Sequence, residues 1–502
     1  MRLLLPRADV SVRLAAQIAP EREEKCHCQK DTCTGKRIIF ASLLRVGRED
    51  YIQCIIDRRS ATFCDSTQPL KFDTLSEVQY NARGLTGKEW QLLENAQWQI
   101  RAHYLSGLSV NAEEPAKLDD GAVLPLTEIC SIITDQTNMS RDISRVTIHP
   151  DHHQLARDSN IFVLKTFRNP RYRDLAEYDF KAELQGNQRA PRHDRIVPLL
   201  TAFEFGNGFH LIFPYAAEGD LHSLWKKYDV LNRSPDTHWY SPQWLLTECL
   251  GIAEALAATH QPSSEDSGRV PQLHADIKPR NILCFRNDQN EFSLKLSDFG
   301  SSRKVRPDLT LEVSGDNVAY IYTYRPPEYD TEECISLKYD VWCLACLYLE
   351  FITWAVAGYD AIDRFSQSRL GEKNDRLALA RKGEDLEDTF FKKAARPPRW
   401  YDLSSLRVGA WSQRIEKVTK KVTRSRRSFN VSRGEIKVSC RIKDSVKDHI
   451  SGLLTSGLCI PEIKDFLEIV EIQMLVVEME QRASSDVVTT LLRGIKSKHQ
   501  YR

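Results

Sequence analysis

The spacing of apolar residues changes character twice along the chain. Up to about residue 108 it is helical, as in the segments 38–46 (IIFASLLRV) and 89–105 (EWQLLENAQWQIRAHYL), which predicts helices there. The polar stretch 111–121 (NAEEPAKLDDG) then reads as a linker. From Leu124 onward the runs become short and rich in β-branched and aromatic residues. SRVTI (144–148), NIFVLKTF (160–167) and FEFGNGFHLIF (203–213) predict strands, the last pair joined by a hairpin turn at Gly206-Asn207-Gly208. Long helical segments dominate after Asp220. Strands first and helices second predict an α+β domain with two segregated lobes, and no internal repeat interrupts that order.

One helical segment, 341–358 (VWCLACLYLEFITWAVAG), is almost long enough to cross a bilayer, but Glu350 sits in its middle. A helix apolar on all sides is expected to be the buried centre of a large soluble domain. A chain of 502 residues has room for such a centre, either in one large two-lobed unit or in two to three domains. Lys+Arg 70 nearly cancels Asp+Glu 69, so net charge points to neither a nucleic acid nor a membrane as partner. The 13 cysteines, odd in number and scattered from Cys26 to Cys459, fit reduced thiols and hence the cytosol or nucleus. The N-terminal MRLLLPRADVSVRLAAQIAP has too short an apolar run for a secretory signal; its arginines leave a transit peptide as the alternative.

The candidate chemistry is concentrated in His274-Ala275-Asp276-Ile277-Lys278-Pro279-Arg280-Asn281, followed by Asp298-Phe299-Gly300 after the hairpin-like NDQNEFSLKLS. One carboxylate near an acceptor hydroxyl can take its proton, while an amide oxygen and a second carboxylate hold magnesium against phosphates. Alone, Asp-Phe-Gly would be an ordinary turn. At this separation the two motifs resemble the catalytic loop and metal-binding motif of the eukaryotic protein kinases.

That resemblance implies the bilobal protein-kinase fold, with a small β-rich N-lobe and a large helical C-lobe. It implies ATP and Mg²⁺ as co-substrate and cofactor, Asp276 as base, and Asn281 and Asp298 as metal ligands. Lys278 is similar to the lysine of the serine/threonine class, which steadies the transferring phosphate; Thr323 supports that class more weakly. Phe162-Val163-Leu164-Lys165 resembles the strand carrying the phosphate-binding lysine, and Glu183, eighteen residues on, its ion-pair partner. Glu177 is the alternative, because sequence alone does not fix the helix register. The segment 213–221 resembles the hinge, which reads adenine through backbone groups at Pro214 and Ala216, with Asp220 toward the ribose. Pro326-Pro327-Glu328 resembles the end of the activation segment and Arg482 its distant salt-bridge partner. Asp340 would then receive hydrogen bonds from the catalytic-loop backbone.

The resemblance spans residues 124–502, behind a helical module and linker at 1–120, with a long insertion at about 359–450. Three features depart from it. No glycine lies between Gly121 and Gly186, so NMSRDISRV (138–146) stands where a glycine-rich phosphate lid is expected. Ala275 replaces the arginine that grips a phosphorylated activation loop in many kinases. The insertion carries RIEKVTKKVTRSRR (414–427), seven basic residues against one acidic, expected as a solvated face, with docking patch or nuclear-import signal as alternatives. Cys26, His27, Cys28 and Cys33 lack the paired spacing of a zinc site and are expected as a turn with reduced thiols, a metal site being the alternative. IHPDHH (148–153) and the cysteine-bearing front end are reminiscent of kinase-domain proteins of filamentous fungi.

The sequence is thus read as a serine/threonine protein kinase acting on a protein substrate. The rival is a pseudokinase or scaffold, and a third reading is a small-molecule kinase on the same fold. Nothing in the pattern sets an oligomeric state.

Overall fold

The computed structural model describes residues 37–48, 88–89, 91–93, 96, 103–107, 115–119, 122–134, 141–169, 171–228, 230–231, 240–261, 270–287, 291–305, 323–331, 335–374, 386–396 and 437–499. They fall into two compact units, 1–180 with 199–215, and 181–198 with 216–502.

In the first unit, α1 (Arg37–Val46) coincides with the helical pattern IIFASLLRV. The centre of the unit is a six-stranded sheet in the order β1-β5-β6-β4-β3-β2. Its strands are β1 (Ala116–Lys117), β2 (Leu126–Thr134), β3 (Arg141–Ile148), β4 (Ile161–Phe167), β5 (Thr201–Phe205) and β6 (Gly208–Pro214). β5 and β6 form the expected hairpin, and Gly206 supplies the positive φ (+57°) of its turn. β1 lies inside the stretch read as linker, where Ala116 and Lys117 pair in parallel with Phe203 and Glu204 of β5. Both of its residues are exposed, so no apolar position announces the strand.

Alternation along β4 places Phe162 and Leu164 in a core with Val146, Ile148, Phe203 and Ile212. Phe167, on the opposite face, meets Phe180 of α2 (Arg173–Arg189) at 5.8 Å between ring centres, and Phe180 stacks on Phe209 at 5.1 Å.

The second unit contains α3 (Leu221–Lys227), α4 (Pro242–His260), α5 (Pro327–Thr331), α6 (Lys338–Ala357), α7 (Tyr359–Gly371), α8 (Asp444–Thr455), α9 (Pro461–Ile469) and α10 (Ser485–His499). Three small antiparallel sheets accompany them: β7 (Gln272–Leu273) with β10 (Arg303–Lys304), β8 (Ile282–Arg286) with β9 (Phe292–Leu296), and β11 (Phe391–Arg396) with β12 (Lys437–Ile442). Among the described residues, α6 is the one helix long and apolar enough to cross a membrane, yet 89% of its most apolar window is buried among the other helices. It is the core helix that its all-round apolar pattern predicts.

The carboxylate in the middle of α6 has its own partner. Arg369 of α7 donates to Glu350 at 2.9 Å and to Asp388 at 2.8 Å, with its guanidinium 4.1 Å from the Phe365 ring centre and 4.2 Å from that of Phe390. Burial lifts the Glu350 carboxyl above its usual range, against the pull of Arg369.

Candidate active site

Residues 274–281 link β7 to β8, and their backbone is fixed from below by one side chain. Asp340, in the first turn of α6 and fully buried, accepts hydrogen bonds from the backbone N–H of His274 (2.7 Å) and Ala275 (2.9 Å). His260 Nε2 lies 2.9 Å from the same carboxylate, and its Nδ1 is 3.0 Å from Ser485 Oγ. These bonds hold Ala275 at φ +64°, a left-handed conformation that costs an L-residue roughly 1–2 kcal/mol. The catalytic-loop backbone expected on Asp340 is therefore present. His260 and Ser485 were not foreseen.

The strained turn presents Asp276. Its Oδ2 receives Lys278 Nζ and Asn281 Nδ2, each at 2.8 Å, and Asn281 Nδ2 also donates to the Asp276 carbonyl at 2.8 Å. Asp276 Oδ1 is buried and has no hydrogen-bond partner among the described residues. Leaving a buried acceptor unsatisfied costs about 1–3 kcal/mol, a cost relieved when a bound hydroxyl donates to it. With its NH₂ group committed to Asp276, Asn281 has only its amide oxygen to offer a cation.

His274 ties this loop to the second motif: its Nε2 lies 3.1 Å from the Ser297 carbonyl, and its ring meets Phe299 edge-on at 4.8 Å. Asp298 follows at φ +63°, with its carboxylate accepting from Gly300 N at 3.3 Å. A β-carbon on Gly300 would lie 3.1 Å from Asp298 Oδ1 and 3.3 Å from Glu183 Oε2, so the Glu183 carboxylate stands beside this turn. The two candidate glutamates on α2 differ in burial. Glu183 is three residues beyond the buried Phe180 and is itself 1% exposed, whereas Glu177 is only half-buried.

The same helix needs a glycine one turn later. A β-carbon on Gly186 would sit 2.2 Å from the Phe299 carbonyl oxygen and 2.6 Å from Ser302 Oγ, closer than real atoms approach. Gln272 Nε2 donates to the Gly186 carbonyl at 3.1 Å, fixing the helix end from another side. We expect Gly186→Ala to push α2 off the 298–302 turn, lowering kcat/KM about tenfold or more together with the thermal midpoint. Wild-type turnover and melting in that variant would refute the close-packing role.

The remaining predicted residues take these positions. Lys165 stands on β4 opposite Ile143 and Leu211, 8% exposed, with its ammonium 5.7 Å from the Phe167 ring centre. Pro214 ends β6 opposite Phe162. Ala216 is buried, and Asp220 caps α3 by accepting from Ser223 N at 2.7 Å. Glu328 and Arg482 form a buried two-pronged pair at 2.7 and 2.9 Å, uniting residues 154 positions apart.

The stretch 138–146 read as the lid is corrected by the pairing of β2 with β3, in which residues 141–146 are strand. The connection is then 135–140 (DQTNMS), also without glycine, and it lies outside the described residues. So do the basic run 414–427 and the cluster of Cys26, His27, Cys28 and Cys33.

Sheet unit, helical unit and catalytic turn together have the α+β make-up of the bilobal protein-kinase fold. A protein kinase domain family matches residues 153–405, just over half of the chain, and the chain belongs to that family. It is 30% identical over 175 residues to the G-type lectin S-receptor-like serine/threonine-protein kinase SRK of Arabidopsis thaliana, covering 35% of this chain and 19% of the relative. To cyclin-dependent kinase-like 1 of Caenorhabditis elegans it is 29% identical over 163 residues, 32% of this chain and 39% of the relative. To serine/threonine-protein kinase PKH2 of Saccharomyces cerevisiae it is 25% identical over 180 residues, 34% and 14% respectively. These matches span less than half the length of each relative.

Proposed function

We propose that the chain transfers the γ-phosphate of ATP to serine or threonine hydroxyls of a protein substrate. The observation that carries this reading is the Asp276 carboxylate. One oxygen is oriented by Lys278 and Asn281, and the other is buried with no partner among the described residues, as a base awaiting an acceptor hydroxyl would be. Asn281 through its amide oxygen and Asp298 through its carboxylate would hold Mg²⁺, which neutralises charge on the phosphates when bound. Two protein ligands suffice, because magnesium completes its shell with phosphate and water. Lys165 would hold the α and β phosphates, Glu183 would orient that lysine, and backbone groups at Pro214 and Ala216 with Asp220 would receive the nucleoside.

Free thiols at every cysteine among the described residues support a cytoplasmic or nuclear setting. The alternative, a scaffold without turnover, draws its support from the glycine-free connection 135–140. Losing one or two lid contacts to phosphate, at about 1.5–3 kcal/mol each, weakens nucleotide affinity while removing no catalytic group. Purified protein with Mg²⁺ and a serine/threonine peptide mixture, titrated with ATP into the millimolar range, decides between the readings. We expect saturable phosphate transfer with a raised KM for ATP; no transfer at any concentration would establish the scaffold.

A further inference from the structure

The segment that closes the activation loop, from Thr323 to the end of α5, is held by residues of the insertion. Arg325 Nε lies 3.0 Å from Asp330 Oδ2, and its Nη2 lies 2.8 Å from Glu387 Oε1. Lys393 Nζ completes a closed ring, at 3.1 Å from Asp330 Oδ2 and 3.0 Å from Glu387 Oε2. Two of these side chains come from the segment and two from the insertion, none more than 5% exposed, with two positive charges facing two negative. Asn374 braces the insertion side by donating to Glu387 at 2.9 Å and accepting from Lys393 N at 2.9 Å. Lys443, just beyond β12, donates to the Glu387 carbonyl at 2.5 Å and the Arg369 carbonyl at 2.7 Å. Next to the ring, Asp388 accepts from Thr323 Oγ1 at 3.4 Å, from Ser366 Oγ at 2.9 Å and from Arg369.

We infer that Glu387, Asp388 and Lys393 make the insertion a built-in anchor for the acceptor-binding end of the activation segment. They supply the ordering that a loop phosphate gives in phosphorylation-switched kinases. Such a phosphate works by pairing with basic side chains, among them the arginine preceding the catalytic aspartate. Here that position is Ala275, and Arg325 already faces fixed carboxylates. A desolvated charge ring is also unforgiving, since removing one member leaves an unbalanced buried charge on the others. The segment and the insertion are therefore ordered together. That the segment receives the acceptor rests on the kinase reading above; that the insertion orders it does not.

The test uses the full-length protein, phosphatase-treated, with hydrogen exchange of residues 323–331 and steady-state kinetics in parallel. Glu387→Gln and Lys393→Met should each speed exchange there and raise the KM for peptide about tenfold, with the KM for ATP within about twofold of wild type. The double variant removes one charge of each sign and leaves Arg325 opposite Asp330, so it should recover most of both losses. Additive losses in the double variant, or unchanged exchange in the single ones, would overturn the anchor. Should the ring variants not fold, Asp388→Asn at its partly exposed site carries the same comparison: faster exchange at 323–331 supports the anchor and unchanged exchange overturns it. If phosphatase alone releases the segment in wild type, a phosphate is doing the ordering and the inference fails. Exchange that responds as expected in a protein without turnover would keep the anchor and discard the catalytic reading.

Discussion

Asp276→Asn is expected to cut kcat by about 10²- to 10⁴-fold while leaving nucleotide affinity within about twofold, the behaviour of a lost general base. The substitution keeps size and shape, and one side-chain oxygen still faces Lys278 and Asn281, which approach the carboxylate at 2.8 Å. It removes the negative charge and the basicity of the buried Oδ1, the atom left to receive a proton. Asp298→Asn should differ in kind. A metal ligand serves both nucleotide binding and transfer, so affinity for ATP in the presence of Mg²⁺ should fall together with kcat. Paired measurement of turnover and of nucleotide binding separates the two roles. Undiminished transfer by the Asp276 variant would sink the assignment of the base, and identical behaviour of the two variants would sink the division of labour.

How much of this could be read beforehand follows from where the partners lie in sequence. Asp276, Lys278 and Asn281 are five residues apart at most, and Asp298 follows within one hairpin, so the grouping of the first three on one turn was legible as a pattern. Ranking Glu183 against Glu177 needs the helix register, and only the fold shows that Glu183 is the more buried of the two. β1 was read as linker because neither of its side chains is buried. β2 escaped for a related reason: Thr127 to Ile132 are exposed on both faces, so no alternation marks the strand. Without β2 the hairpin connection could not be located, and the stretch read as the lid runs six residues into β3. Gly186 and the ring of Arg325, Asp330, Glu387 and Lys393 were invisible for a stronger reason. Their meaning is a contact with residues tens of positions away, and a single sequence carries no sign of such pairings.

The largest loss of stability is expected from Asp340→Asn, at about 4 kcal/mol or more, a range reserved for broken buried networks. The two carboxylate oxygens divide three donors: Oδ1 accepts from Ala275 N, while Oδ2 accepts from His274 N and lies against His260 Nε2. An asparagine has one acceptor oxygen and one NH₂ group, so whichever way it turns, NH₂ meets a backbone N–H that cannot accept from it. Hydrogen bonds to a charged acceptor contribute about 1.5–3 kcal/mol each, and a donor left buried and unsatisfied costs a further 1–3 kcal/mol. Solvent offers no relief, because Asp340 is fully buried and His260 nearly so. Ser485→Ala, which removes only the hydroxyl at His260 Nδ1, should cost far less, about 0.5–1.5 kcal/mol. The two variants also differ in what they do to catalysis. Asp340 opposes the strain at Ala275, so any folded Asp340→Asn protein should let that turn relax and lose kcat out of proportion to its affinity for ATP. Denaturant unfolding of both variants, with kcat and nucleotide binding measured on the folded fraction, checks the argument. A destabilisation by Asp340→Asn below about 1 kcal/mol, or one no larger than that of Ser485→Ala, would mean that this carboxylate does not hold the catalytic turn.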